Sequence, residues 1–135
     1  MIRIRGLDHV VLRAETVDAM IEFYCDVLGC TVERKLSPEF GLVQLRAGNA
    51  LIDIVSVAGK IVRSGGSAPG NEGRNMDHFC VRLEGFEEET VRAHLSRFGV
   101  YGSDLEIRYG AEGSGPSIYV RDPAGNTVEL KGPSH

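Results

Sequence analysis

The sequence predicts an α+β protein made of two βαβββ modules, and three observations predict it. The stretch Leu7-Asp8-His9-Val10-Val11-Leu12-Arg13 returns as Met76-Asp77-His78-Phe79-Cys80-Val81-Arg82, matching by residue class at all seven positions. Each copy leads into a segment whose apolar residues recur at helical spacing. Each such segment is followed by three short alternating or apolar runs bounded by turn residues.

After the first copy, Thr16 suits a helix N-cap, Val17, Met20, Ile21, Tyr24, Val27 and Leu28 form the apolar stripe, and Gly29 ends it. Residues 31–36, 42–47 and 50–57 then read as strands. After the second copy, Glu87, Glu88 and Glu89 suit the positive end of a helix dipole, Val91, Leu95 and Phe98 supply the stripe, and Gly99 stops it. Strands follow at 105–109, 117–121 and 127–131. The closing strands correspond as well, Gly48-Asn49-Ala50-Leu51-Ile52-Asp53 against Gly125-Asn126-Thr127-Val128-Glu129, with one residue more before the acid in the first copy.

Between the halves, residues 59–75 contain Gly59, Gly65, Gly66, Gly70 and Gly73, a composition expected of a linker or flap. Module 1 is thus expected at 1–58 and module 2 at 76–135, within one domain of residues 1–135. Lys60, Arg63 and Arg74 in the linker would suit an anionic substrate.

Bulk properties exclude several classes of function. A chain of 135 residues buries enough surface to fold without staples. A net charge of -4 offers no basic footprint for nucleic acid. No apolar run approaches the roughly 20 residues that span a bilayer, so no membrane partner is expected. Residues 1–5 lead straight into an alternating pattern without the features of a secretory signal, which predicts a cytoplasmic protein. Cys25, Cys30 and Cys80 show no metal-binding spacing and read as small buried hydrophobes in a reducing compartment.

Strand alternation places His9 with Leu7, Val11 and Arg13 on one face, and His78 with Cys80 and Arg82. Each repeat so presents a histidine followed four residues later by an arginine. Asp53 and Glu129 sit inside apolar strands, where a carboxylate is costly unless it is paired or binds a cation. Two imidazoles and two carboxylates at matching places in both halves predict a divalent metal site of His9, Asp53, His78 and Glu129. Such nitrogen and oxygen ligands suit zinc, nickel, iron(II), manganese or cobalt.

The sequence resembles the vicinal oxygen chelate superfamily over nearly its whole length. That superfamily includes glyoxalase I, fosfomycin-resistance proteins, methylmalonyl-CoA epimerase, extradiol dioxygenases and bleomycin-resistance proteins. The resemblance rests on Leu7-Asp8-His9-Val10-Val11-Leu12, on Phe23-Tyr24 through Val27-Leu28-Gly29, and on the run from Ser117 through Asp122-Pro123-Ala124-Gly125-Asn126 to Leu130. It implies two modules forming cupped mixed sheets, with the metal in the cup on positions matching His9, His78, Glu129 and, in glyoxalases, Asp53.

Glyoxalases present glutamate at the Asp53 position, so the shorter side chain is a departure. Arg13 and Arg74 match arginines used there toward glutathione, and Arg82 occupies the Arg13 position of the second repeat. Val57 stands where glyoxalases have an asparagine that holds glutathione. Tyr119, ten residues before Glu129, matches the active-site tyrosine of extradiol dioxygenases.

The expected function is therefore a metal-dependent, glyoxalase-like enzyme of lyase or isomerase type. It would chelate vicinal oxygens of a small substrate, with Glu129 or Asp53 as base and glutathione or another thiol as a candidate co-substrate. The alternatives are extradiol ring cleavage with iron(II), using Tyr119, and non-catalytic sequestration of a drug-like ligand. The family also implies a homodimer, with metal ligands shared between chains in several relatives.

Overall fold

Each repeat becomes a strand, a helix and three strands in the computed structural model, which describes residues 1–59 and 67–134. The chain divides into two units, Met1–Pro69 and Gly70–His135, and the border falls inside the 59–75 segment. Lys60, Arg63, Gly65 and Gly66 lie outside the described residues. Among the described residues, no helix is long and apolar enough to cross a membrane.

Unit 1 holds β1 (His9–Ala14), α1 (Val17–Glu22), β2 (Thr31–Lys35), β3 (Leu42–Ala47) and β4 (Ala50–Ser56). Its sheet order is β1-β4-β3-β2, with β1 parallel to β4 and the other pairs antiparallel. Alternation along β3 and β4 sends Val43, Leu45, Ile52 and Ile54 to one face, where they are buried, as are Met20, Phe23, Tyr24 and Val27 of the helical segment. Burying this many large apolar side chains, at about 25 cal/mol per Å² removed from water, is the main driving force holding the unit together.

The first helical segment departs from expectation in two ways. Thr16 occupies the N-cap position but makes no side-chain capping bond. The regular helix ends at Glu22, and Phe23–Val27 continue as a wider π turn in which Leu28 N–H donates to Phe23 O at 3.2 Å. The wider turn still lets Phe23, Tyr24 and Val27 all reach the core.

Unit 2 holds β5 (Phe79–Arg82), α2 (Glu88–Arg97), β6 (Glu106–Gly110), β7 (Gly113–Arg121) and β8 (Thr127–Lys131). Its sheet order, β5-β8-β7-β6, repeats that of unit 1, with β5 parallel to β8. Ile118, Val120, Val128 and Leu130 fill one face of the sheet and Leu95 is the buried residue of α2. Phe98, expected in the stripe, is 46% exposed at the C-cap, beyond the last helical turn. Glu87 caps α2 by accepting from Glu89 N–H at 3.2 Å and Thr90 N–H at 3.0 Å.

The turn between β7 and β8 is set by Asp122. Its carboxylate accepts from Ala124 N–H, Asn126 N–H and the Asn126 amide at 2.8–2.9 Å, while Gly125 takes a φ of 83° that only glycine adopts freely. This fixes the register in which Tyr119 lies across from Glu129.

The cysteines divide. Cys30 is buried, Cys25 is half-buried, and Cys80 is exposed, which corrects the expectation that all three are core hydrophobes. Cys80 lies on the face of β5 that meets the polar row of β8 rather than on the apolar face.

Candidate functional site

Each unit brings one histidine and one carboxylate together through the same register. In unit 1, β1 pairs with β4 so that Val11, two residues after His9, lies beside Asp53. In unit 2, β5 pairs with β8 so that Cys80, two residues after His78, lies beside Glu129. The extra residue before Asp53 lies within β4 itself, which has three residues ahead of its acid where β8 has two, and strand pairing still sets each acid beside the residue two after its histidine.

Both histidines are oriented by the aspartate before them. His9 Nδ1 lies 2.7 Å from Asp8 Oδ1, and His78 Nδ1 lies 2.8 Å from Asp77 Oδ2. A carboxylate only accepts, so Nδ1 carries the proton in each ring and Nε2 is the nitrogen left for other work. The bond to Asp8, aided by the charge of Asp53, raises the His9 pKa above its ordinary value against the opposing effect of burial.

The carboxylates are both buried, with Asp53 3% and Glu129 6% exposed. Glu129 is fully engaged. Ser117 Oγ donates to Oε2 at 2.6 Å, Tyr119 Oη donates to Oε1 at 3.2 Å, and His78 Nε2 stands 3.1 Å from Oε1. Burial alone would push this carboxyl up, but those three partners together hold it below the ordinary carboxylate range. With Nδ1 protonated toward Asp77, the facing of Nε2 and Oε1 is favourable only with a proton or a cation between them.

Asp53 is engaged on one side only. Gln44, directly across the β3–β4 ladder, donates its amide to Oδ2 at 3.1 Å, whereas Oδ1 is buried and has no hydrogen-bond partner. A buried carboxylate oxygen without a donor costs on the order of 1–3 kcal/mol or more. It is the kind of atom a cation relieves. The donor set of Nε2 nitrogens and carboxylate oxygens therefore fits a divalent ion of borderline hardness. Among the described residues, no three His, Cys, Asp or Glu side chains cluster as a metal-holding group, and each unit carries two of the four residues.

A second layer repeats between the units. Arg34 Nε donates to Gln44 Oε1 at 2.8 Å, and Arg108 Nε donates to Tyr119 Oη at 3.3 Å. An arginine thus backs the residue that backs the acid in both halves. The Tyr119 backbone is itself held by Ser103, whose N–H donates to Tyr119 O at 2.9 Å and whose Oγ accepts from Tyr119 N–H at 2.8 Å. Arg92 of α2 in turn donates to Ser103 O at 2.9 Å. The Tyr119 ring meets the His78 ring edge-on at 5.3 Å between centroids.

The arginines are less uniform. Arg82 is exposed and lies 3.7 Å from Glu112, Arg74 reaches Ala124 O at 3.4 Å, and Arg13 is half-buried on β1. Partial loss of water around its sulfur, with the charge of Glu129 adding to it, pushes the Cys80 thiol up to about 11, so it is no thiolate nucleophile at neutral pH.

Sequence reasoning passed over Asp8, Asp77, Gln44 and Ser117. The aspartates were visible inside the repeat, and Ser117 shares a face with Tyr119 by simple alternation. Gln44 was recoverable only by matching Val43-Gln44-Leu45 to Ile118-Tyr119-Val120, where the two polar residues differ in kind.

Comparison with known proteins agrees with this architecture. An integron cassette protein from the mobile metagenome of V. cholerae is 24% identical, with 98% of each chain covered and a TM-score of 0.75. Lactoylglutathione lyase from Agrobacterium tumefaciens is 22% identical, covering 95% of this chain and 93% of its own, with a TM-score of 0.65. The fosfomycin resistance protein FosX from Listeria monocytogenes is 18% identical, covering 96% and 91%, with a TM-score of 0.71. These likenesses show the fold. The family model of the Glyoxalase/Bleomycin resistance protein/Dioxygenase superfamily matches residues 6–130, and the chain belongs to that superfamily.

Proposed function

We propose that this chain is a metal-dependent glyoxalase-like enzyme in which His9, Asp53, His78 and Glu129 hold a divalent ion and a small substrate offers it two adjacent oxygens. The observation that carries the reading is the duplicated His–carboxylate pair, in the same register in both units and with each histidine oriented by a preceding aspartate. The unpartnered Oδ1 of Asp53 supports it. When bound, such an ion supplies Lewis-acid stabilisation of negative charge on the substrate oxygens.

The two carboxylates are suited to different tasks. Asp53 keeps one oxygen on Gln44 and offers the other, which fits a permanent ligand. Glu129 is ionised at neutral pH and has Ser117 and Tyr119 to hold it, so it fits the base that takes a proton from the substrate and returns it. Arg13, Arg74 and Arg82 are the candidates for an anionic part of the substrate. Incubating the nickel- or zinc-loaded protein with methylglyoxal and glutathione tests this version. Isomerisation of the hemithioacetal, lost in Glu129→Gln, supports it, and no turnover with glutathione or any other thiol removes it.

One observation favours a second reading. The Tyr119 hydroxyl lies beside both His78 and Glu129, which suits extradiol ring cleavage with iron(II) on His9, His78 and Glu129. Iron-loaded protein would then turn catechols into yellow ring-opened products in air. A sequestering protein would bind ligand without metal, so the metal content of the purified protein separates that reading from both. We further infer a cytoplasmic homodimer, which mass measurement in solution and localisation of the tagged protein test directly.

A further inference from the structure

The strand that carries Glu129 ends in a charge with no partner. Lys131, two residues on, shares the face of Glu129, yet it is only 4% exposed. Its aliphatic stem is packed away while the ammonium at its end keeps access to solvent, so the charge is held in place without a counter-ion. Among the described residues no carboxylate lies within salt-bridge distance of its ammonium; Glu129 is instead taken by Ser117, Tyr119 and His78. The neighbour in register on β5 is a second cation, Arg82, whose Glu112 partner stands at 3.7 Å.

The fold makes room for this side chain. A Cβ at Gly110 would meet Lys131 Cε at 3.1 Å and Cδ at 3.3 Å, while a Cβ at Gly115 would meet the Pro133 and Gly132 carbonyl oxygens at 2.7 and 2.8 Å before Lys131 Nζ at 3.2 Å. Gly110 of the β6–β7 hairpin thus leaves room for the lysine stem. Its ammonium stands over Gly115, four residues along β7 from the Tyr119 that faces Glu129, a distance of roughly 13 Å at a rise of about 3.3 Å per residue.

Resting on the metal reading above, we propose that Lys131 is a substrate-binding residue that receives the anionic tail of a chelating substrate. The tail is a carboxylate or phosphate on the order of 10 Å from the chelating oxygens, a span set by the strand rise. The ligand is therefore an elongated, at least doubly functional acid rather than a two- or three-carbon dicarbonyl alone. Arg82 adds charge at the rim, and Lys131 supplies an ammonium whose stem is fixed by packing.

Calorimetry on the cobalt-loaded full chain with 2-oxosuberate and 2-oxooctanoate tests the proposal, since the two acids share a chelating head and a length and differ only in the second carboxylate. We expect wild type to prefer 2-oxosuberate at least tenfold, and Lys131→Met to bind the two equally with unchanged cobalt uptake. A preference that survives in Lys131→Met, or is absent from wild type, overturns the proposal. Gly110→Ala, which crowds the side chain without removing it, is expected to weaken the preference several-fold and serves if Lys131→Met does not fold.

A metal-free arm separates the two readings. Suberate and hexyl phosphate are titrated into the metal-free protein and into Lys131→Met, and the tighter of the two names the tail. Loss of cobalt binding with retained, Lys131-dependent anion binding removes the metal reading and leaves this one standing. If neither anion binds wild type in this arm, the Lys131 site is overturned whatever the cobalt result.

Discussion

Tyr119 lies directly across the β7–β8 ladder from Glu129 and donates its hydroxyl to Glu129 Oε1 at 3.2 Å. Gln44 holds the same relation to Asp53 in the other unit. A repeat that is faint in sequence on these strands is therefore kept as a hydrogen-bonding relation, with phenol in one copy and carboxamide in the other. The difference leaves Glu129 saturated and Asp53 with a free oxygen.

Replacing Ser117 by alanine removes the donor to Glu129 Oε2 from a fully buried position. Loss of a hydrogen bond to a buried charge costs about 2 kcal/mol. The variant should unfold at correspondingly lower urea concentration, with its slope unchanged. A stability equal to wild type would show that Glu129 does not depend on this bond.

Asp53→Asn is expected to act in opposite directions on metal and on stability. The amide still accepts from Gln44, while the buried, partnerless charge on Oδ1 is gone. Metal-free protein should gain about 1 kcal/mol, the order of the penalty for an unsatisfied buried group. Cobalt affinity should fall at least tenfold by calorimetry. Destabilisation without loss of cobalt binding would mark Asp53 as structural.

The α2 cap makes part of the stability depend on pH. Thr90 Oγ, followed by the backbone N–H groups of Thr90 and Glu89, holds the Glu87 carboxyl below its ordinary value. A carboxyl with a lowered folded-state pKa contributes stability that is present above its unfolded value of about 4.5 and is lost as pH falls through the folded value. Glu87→Gln should therefore lower the melting temperature at pH 7 and flatten its decline between roughly pH 5 and pH 3. Identical pH profiles for variant and wild type would contradict the cap.

Leu45 is fully buried in the sheet of unit 1. Truncating it to alanine leaves a cavity, and large-to-small changes of this kind cost about 3 kcal/mol. Chemical denaturation measures the loss. Because His9 and Asp53 sit on the sheet that Leu45 helps to pack, cobalt affinity should weaken with it.

Much of this molecule was legible before any coordinates. The Leu7–Arg13 and Met76–Arg82 repeat set the two βαβββ units, because period-two and helical apolar patterns report directly which face of a segment meets the core. The two acids stood out as candidates as well, since a carboxylate between Ile52 and Ile54, or between Val128 and Leu130, is out of keeping with an apolar strand. The π turn at Phe23–Val27 was not, because it settles on packing against the sheet rather than on local spacing.

Register also belonged to tertiary structure. Only strand pairing could place Asp53 and Glu129 equivalently despite the extra residue before Asp53, and only packing could show that Cys80 is exposed and that Lys131 is buried over Gly110 and Gly115. Sequence alone determined which residues have the chemistry and which face of a strand they share, because those follow from side-chain type and backbone period. Partners, burial and charge balance were decided by tertiary structure, since they depend on atoms brought together from strands far apart in the chain.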